Sequence, residues 1–348
     1  MNRRIVVTGI GLVTPIGVGR AEFWNNLLEG RSGIGPVSSF DTSNYRVHRG
    51  GEVLGFCADT FITKQAPASL GRASQMAVAA ARMAIADAGL PLDSIAADRV
   101  GVCMGTTSGE PGLVEQFDDL VVGERVDEIG SELVRLYPCH VIAGHIAREF
   151  DLCGVNMVIP AACAAGNYAV AHAFDTLRWG RADVMLAGGA DAFSRIPYTG
   201  FARLGAIAPE RCQPFDLHRQ GMIPAEGAAV LVCEPLDDAS RRNAHIYAEI
   251  AGYGLTCDAH HMTAGHPEGD GAARAMRQAL RSSGVRVDEV DYISAHGTGT
   301  KTSDRLETIA VKRVFEEQAY NVPISSIKST LGHTMGAASA IEAAVCAL

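Results

Sequence analysis

Residues 158–180 read VIPAACAAGNYAVAHAFDTLRWG, and how this stretch divides decides the fold. An apolar, strand-like run ends at Pro160, and an Ala-rich helical segment opens at Cys163. Proline supplies no ladder donor and marks the stop. A strand feeding directly into a helix is the building unit of α/β proteins. The same alternation runs outward on both sides. Residues 4–8, 100–105, 184–187 and 229–233 read as strands, and 75–88, 167–178 and 271–283 as Ala-rich helices. This spacing predicts an α/β architecture with buried, largely parallel strands. Near residues 237–245 (DDASRRNAH) the chain turns polar and charged, which sets a boundary between residues 1–238 and 239–348. The second half starts again with a strand at 246–250, then a helix and another strand at 290–294.

Cysteine at a helix start feels the partial positive charge of unpaired amides, which favours its thiolate. Ala164, Ala165 and Gly166 leave room for a substrate to approach Cys163. A thiolate suits acyl transfer, because it attacks a thioester at near-equal energy and can later be displaced. A buried structural thiol is the competing reading of the same residue.

Composition narrows the classes. The 348 residues are 47% hydrophobic and 20% charged, an ordinary globular balance. A formal net charge of −9 leaves no basic surplus for nucleic acid. The start, MNRRIVVTGI, is too short and too broken by glycine for a signal peptide, and no run of 18 apolar residues marks a membrane span. The expected location is the cytoplasm. Nine scattered cysteines without a CxxC pair read mostly as buried, reduced thiols. The glycine-rich GIGLVTPIGVG at 9–19 invites a dinucleotide reading, but Thr14 and Pro15 stand where the third glycine and a helix start belong. A tight turn leaving a strand is the better reading, and a nicotinamide cofactor is excluded.

Two histidines lie far downstream. Residues 291–308, DYISAHGTGTKTSDRLET, place His296 after an apolar strand at the mouth of a Gly/Thr loop. Residues 324–344, ISSIKSTLGHTMGAASAIEAA, set Lys328 and His333 ahead of another Ala-rich helix. The carboxyl ends of strands in α/β sheets are where active-site groups collect. A lone histidine is more often structural, but two in such loops together with one helix-start cysteine make a constellation.

Taken together, ACAAGN (162–167), AHGTGT (295–300) followed by Asp304 and Glu307, and Lys328 with His333 and Gly336 resemble the elongating β-ketoacyl-acyl-carrier-protein synthases of fatty-acid and polyketide synthesis. VVTGIGLVTPIGVG, AGGADA, PFDLHRQGMIPAEGAAVLV and DAHHMT are similar to family segments too, so the resemblance covers nearly the whole chain. It implies the thiolase fold, two similar halves in αβαβα layers, usually dimeric. It implies that Cys163 is acylated from an acyl carrier protein. His296 and His333 would then donate hydrogen bonds to the malonyl thioester oxygen and stabilise the enolate left by decarboxylation. Lys328 and Glu307 would organise the site. Thr298, Thr300 and Thr263 match positions lining the phosphopantetheine channel, and Phe201 belongs to the substrate pocket. The resemblance implies no metal, nucleotide or redox cofactor. The implied partners are acyl carrier protein and a second subunit, in a homodimer or a heterodimer with a related chain.

Three departures stand out. Lys301 occupies a position where the family commonly has a small residue or proline. Residues 61–74 are poor in Lys and Arg, leaving Lys64, Arg72, Arg203 and Arg211 for docking an acidic carrier. The chain ends at IEAAVCAL, ahead of the family's Gly-Phe-Gly loop, so its C-terminal half reads as incomplete. The alternatives are a non-condensing chain-length-factor-like partner, an inactive fragment, or a thiolase-fold enzyme acting on coenzyme A thioesters.

Overall fold

In the computed structural model, which describes residues 3–348, the alternation gathers around one seven-stranded sheet. The strands are β1 (Ile5–Thr14), β2 (Gly17–Val18), β5 (Val100–Gly105), β6 (Asn156–Ile159), β7 (Val184–Asp191), β8 (Gly227–Pro235) and β9 (Ala248–Ile250). They run in the order β2-β1-β8-β7-β5-β6, with β9 also on β1. β3 (Gly35–Pro36) and β4 (Arg49–Gly50) form a separate antiparallel pair. Every residue of β1, β5, β7 and β8 is buried, which is why these segments read as continuous apolar runs.

The sheet is mixed, not largely parallel as expected. β5 runs parallel to β6 and β7, but β8 is antiparallel to both β7 and β1. Residues 192–226 leave β7 and return at the same end of the sheet, so no crossover helix is needed. That excursion carries α7 (Arg195–Arg203) and stays at the end of the sheet where β7 finishes. β1 also outruns its predicted span. Gly9 and Gly11 lie inside the strand, not in a turn, and the chain turns only at Pro15 and Ile16. A Cβ on Gly11 would sit 1.8 Å from the Ala80 carbonyl oxygen, so glycine lets a helix lie against the strand.

Alternation along each strand feeds two cores. Val102, Met104, Leu186 and Val230 face α2 (Arg72–Asp87) and α5 (Val141–Phe150). Cys103, Met185, Leu231 and Cys233 face α6 (Ala165–Arg178) and α12 (Ala338–Ala347). Each large aliphatic side chain buried this way contributes about 1.5–3 kcal/mol. Beyond α12 lies a second, parallel pair, β10 (Ile293–Ser294) and β11 (Ile324–Ser325). Ser294 meets Cys346 of α12, whereas Ile293 packs against the core of α9 (Asp270–Ser283) and α10 (Lys301–Phe315). The layer order is helix, sheet, helix, sheet, helix. β9, from beyond residue 238, hydrogen-bonds to β1, so the second half contributes a strand to the first sheet. The remaining helices are α1 (Arg20–Leu28), α3 (Pro111–Val122), α4 (Ser131–Leu136), α8 (Leu236–Arg241) and the single turn α11 (Lys328–Leu331).

All nine cysteines are free. Contrary to expectation only Cys103, Cys212 and Cys233 are buried, while Cys57, Cys153, Cys257 and Cys346 are exposed. Three of the exposed four lie in loops, and Cys346 sits near the end of α12, where few layers cover it. Among the described residues no helix is long and apolar enough to cross a membrane.

Candidate active site

Cys163 reaches the site on a strand–turn–helix corner. β6 stops at Ile159, a single 3-10 turn spans Ala162–Ala164, and α6 follows. Ala162 is held at φ +48°, a left-handed conformation unusual for alanine. Strain of this kind costs about 1–3 kcal/mol and persists only where the surroundings impose it. Gly105 at the end of β5 allows the corner to close: a Cβ there would lie 2.2 Å from the Ala165 carbonyl carbon.

The histidines arrive on two loops from the second half. Glu307 on α10 grips the first loop, its carboxylate oxygens accepting the His296 amide at 2.6 Å and the Gly297 amide at 2.8 Å. Lys328, 1% exposed, donates from Nζ to the His296 carbonyl at 2.7 Å and pairs with Glu342 of α12. Ser326 Oγ donates to the Gly297 carbonyl at 2.8 Å. On the second loop the His333 amide donates to the Ile223 carbonyl at 2.6 Å, and the His333 carbonyl accepts the Ala225 amide at 2.9 Å.

The tautomer of His333 follows from its partners. The Met335 amide donates to Nδ1 at 3.1 Å, so Nδ1 is the acceptor and Nε2 carries the proton. Nε2 then donates toward Cys163 Sγ, 3.1 Å away. The rings of His296 and His333 stand 5.4 Å apart at 83°, edge to face. Cys163 Sγ and one nitrogen from each ring lie within 4.8 Å of one another, a donor set that could suit a soft metal. The His333 ring as held here has no lone pair to offer, since one nitrogen is protonated and the other is taken. These residues are arranged for donating hydrogen bonds and do not fit a metal.

Burial sets the protonation states. His296 is pushed down to about 3 and His333 well below the usual imidazole value, by burial first and by the Lys328 ammonium second. Both imidazoles are therefore neutral donors at physiological pH. The Cys163 thiol is pushed up to about 11, because burial outweighs the lowering influence of Lys328. Burial thus works against the thiolate that the helix start favours.

Thr298 is buried and shares a 2.9 Å hydrogen bond with the Thr300 hydroxyl, leading outward from His296. Thr300 and exposed Lys301 line a hollow of roughly 530 Å³ with Gly205 and Gln220. Gly205 is shared with a neighbouring hollow of roughly 680 Å³, lined by Arg46 and Arg203 among others. Thr263 is not brought into this row. It sits on an exposed loop, its amide donating to His261 Nδ1 at 3.1 Å. Phe201 on α7 packs in the cluster of Tyr198, Ile207 and Ile223. Of the residues expected to dock a carrier, Arg72 is tied inward to Glu226 and the Val53 carbonyl, both at 2.9 Å, and Lys64 pairs with Asp151. Arg203 and Arg211 are exposed.

Residues 2–239 match the β-ketoacyl synthase N-terminal domain, and residues 247–348 match the C-terminal domain of the same family. The chain belongs to the β-ketoacyl synthase family. It is 37% identical over 349 residues to 3-oxoacyl-[acyl-carrier-protein] synthase 2 of Synechocystis sp., covering 98% of this chain and 84% of that one. Among solved structures, the ishigamide ketosynthase/chain length factor superposes with a TM-score of 0.96 at 41% identity, covering 100% of this chain and 86% of that one. A type II polyketide acyl carrier protein in complex with its ketosynthase bound to the hexaketide gives 0.91 at 34% identity, with the same coverages.

Three acidic groups of this β-ketoacyl synthase were given no role from the sequence. Glu342 is the ion-pair partner of Lys328, and a lone acid in the Ala-rich stretch SAIEAAVCA was the available signal. Asp304 accepts the Phe215 amide at 2.7 Å and the Gly299 amide at 3.1 Å, shaping the Gly/Thr loop. Asp191, buried at the end of β7, stands in the AGGADA segment, but nothing local tells what it holds.

Proposed function

We propose that this β-ketoacyl synthase performs a decarboxylative Claisen condensation in fatty-acid or polyketide synthesis, with Cys163 as nucleophile and His296 and His333 as oxyanion donors. The observation that carries this reading is the neutral His333 aimed through Nε2–H at the Cys163 sulfur. The thiol attacks an acyl thioester on the carrier: the sulfur–acyl bond forms, and the carrier thiol leaves with the proton. A malonyl thioester then binds with its carbonyl oxygen against the two imidazoles. The bond to its carboxylate breaks, carbon dioxide leaves, and the electron pair spreads onto that oxygen as an enolate. The enolate carbon attacks the acyl-Cys163 carbonyl, the Cys163 sulfur is expelled, and a β-ketoacyl thioester results. Neutral donors suit this task, because they stabilise the developing charge without consuming it by proton transfer.

Lys328 and Glu307 hold the backbone around His296 and leave the carbon chemistry to the imidazoles. Thr298 and Thr300 line the entry of the phosphopantetheine arm, and the joined hollows bearing Arg46, Arg203 and Lys301 form the face offered to an acidic carrier protein. Phe201 bounds the acyl pocket. The division after residue 238 separates the half bearing the thiol from the half bearing the imidazoles. A second subunit, identical or related, fits the edge strand β6, whose Asn156 and Met157 are exposed. A cytoplasmic location belongs to the same reading and is supported by nine unpaired cysteines. An intact thiol beside both imidazoles favours this activity over a non-condensing partner role.

The test supplies acyl- and malonyl-carrier protein and follows β-ketoacyl product by mass spectrometry. Wild type should form product and Cys163→Ala none; equal yields would remove the thiol from the mechanism.

A further inference from the structure

Asp191 takes part in no step described so far, yet its carboxylate gathers four donors. Oδ1 accepts the Thr106 hydroxyl at 2.8 Å and the Ser108 amide at 2.9 Å. Oδ2 accepts the Thr107 amide at 2.8 Å and the Gly336 amide at 2.6 Å. The first three belong to the loop after β5. The fourth belongs to the turn after His333, whose preceding residue, Met335, is held at φ +51°. It is the Met335 amide that donates to His333 Nδ1 and leaves the proton on Nε2. A left-handed methionine does not keep that geometry unaided.

We infer that Asp191 is a positioning residue for His333: by anchoring the Gly336 amide it holds the Met335–Gly336 turn, which locks the imidazole in the Nε2–H tautomer that faces Cys163. The Gly336 anchor needs the Oδ2 acceptor. An asparagine can keep it by turning its NH2 toward Ser108, whereas a serine reaches neither set of donors. Without that acceptor the turn shifts, the Met335 amide leaves Nδ1, and the imidazole is free to carry its proton on either nitrogen. Asp191 reaches the chemistry only through His333, and this inference rests on the donor role proposed above.

The experiment reads the tautomer directly, with 15N-labelled histidine and the His333 resonances assigned by their loss in His333→Ala. Wild type should show one protonated Nε2 and one acceptor Nδ1. Asp191→Ser should show a mixed or reversed pattern, with the rate of malonyl decarboxylation down about 10²-fold, the cost of one preorganised donor. KM for malonyl-carrier protein should stay within about twofold, because binding along the channel is untouched. Asp191→Glu should restore part of the wild-type pattern. Asp191→Ser leaves room for water to meet the four donors, and Asp191→Ala carries the same test if the serine variant does not fold. An unchanged Nε2–H signature in a folded Ser or Ala variant overturns the inference, even if activity falls. An absence of decarboxylation in wild type would instead count against the proposed function, and the tautomer would still be read.

Discussion

The first half delivers its reactive group by backbone shape, whereas in the second half buried charge holds the loop that brings His296. Around Cys163 the devices are a strained Ala162, a glycine at the end of β5 and an apolar helix packed on the sheet. No ionic group bonds to the thiol's own backbone corner among the described residues. Around His296 and His333 almost every backbone hydrogen bond ends on Glu307, Lys328, Ser326 or a neighbouring loop. The difference follows from the tasks. A nucleophile must accept a covalent load and release it, so a rigid corner suffices. Oxyanion donors must already point correctly when charge develops, and buried ionic clamps hold loops that have no sheet to rest on.

The sharpest way to separate the halves is to remove each reactive group and score both half-reactions. Cys163→Ala should lose condensation by a factor on the order of 10⁶, as removal of an enzyme nucleophile does, while malonyl decarboxylation continues. His296→Ala and His333→Ala should lose decarboxylation by about 10²–10³ each, while self-acylation of Cys163, followed by intact-protein mass, remains. Loss of both half-reactions together in every variant would mean that the two regions act as one unit.

Charge as the positioning device is tested by Lys328→Met. Glu342, nearly buried, then loses its partner, and stability should fall by about 3–5 kcal/mol in urea unfolding. The double variant Lys328→Met, Glu342→Leu should recover most of that stability, because no unpaired charge remains. Its decarboxylation should stay low, since the His296 carbonyl still lacks its donor. Recovery of both properties would show that shape alone orients His296.

This contrast also explains what the sequence revealed. The thiol's corner is built from neighbours, and VIPAACAAGN carried it almost whole; the helix was expected from Asn167 and starts at Ala165. The strands were visible because burial on both faces makes continuous apolar runs. Their directions were not, because the β7–β8 excursion hides an antiparallel return inside what looked like a crossover. The clamps were partly visible: Glu307 and Lys328 stand in the motifs, but Glu342 and Asp191 act 14 and 145 residues away from their partners. No local pattern records such a pairing. The burial that opposes a thiolate at Cys163 was hidden for a related reason, since it is a property of the assembled layers and not of the helix start.

Acid should distinguish the halves by sign. His296 has a folded value near 3, below the roughly 6.5 of an exposed imidazole. Between these values the unfolded chain binds more protons, so this group makes stability fall as pH drops below about 6.5 and level off near 3. His296→Gln should flatten that part of the urea-unfolding profile. The thiol moves oppositely: its alkylation rate should climb with pH toward a midpoint near 11, not the 9 of a free thiol. A midpoint at or below 9 would mean that the helix start outweighs burial after all.

The smallest effect expected comes from the corner itself. Ala162 is exposed and left-handed, so Ala162→Gly removes no packing and relieves about 1–2 kcal/mol of backbone strain. Against this, glycine loses about 0.4–1 kcal/mol more on folding because its unfolded chain is freer. Net stability should rise by at most about 1.6 kcal/mol. If shape is what presents Cys163, the freed corner should nonetheless acylate several-fold more slowly, with decarboxylation unchanged. A variant that gains stability and acylates at the wild-type rate would mean that the left-handed alanine is tolerated strain, and that Gly105 and the packing of α6 alone set the thiol in place.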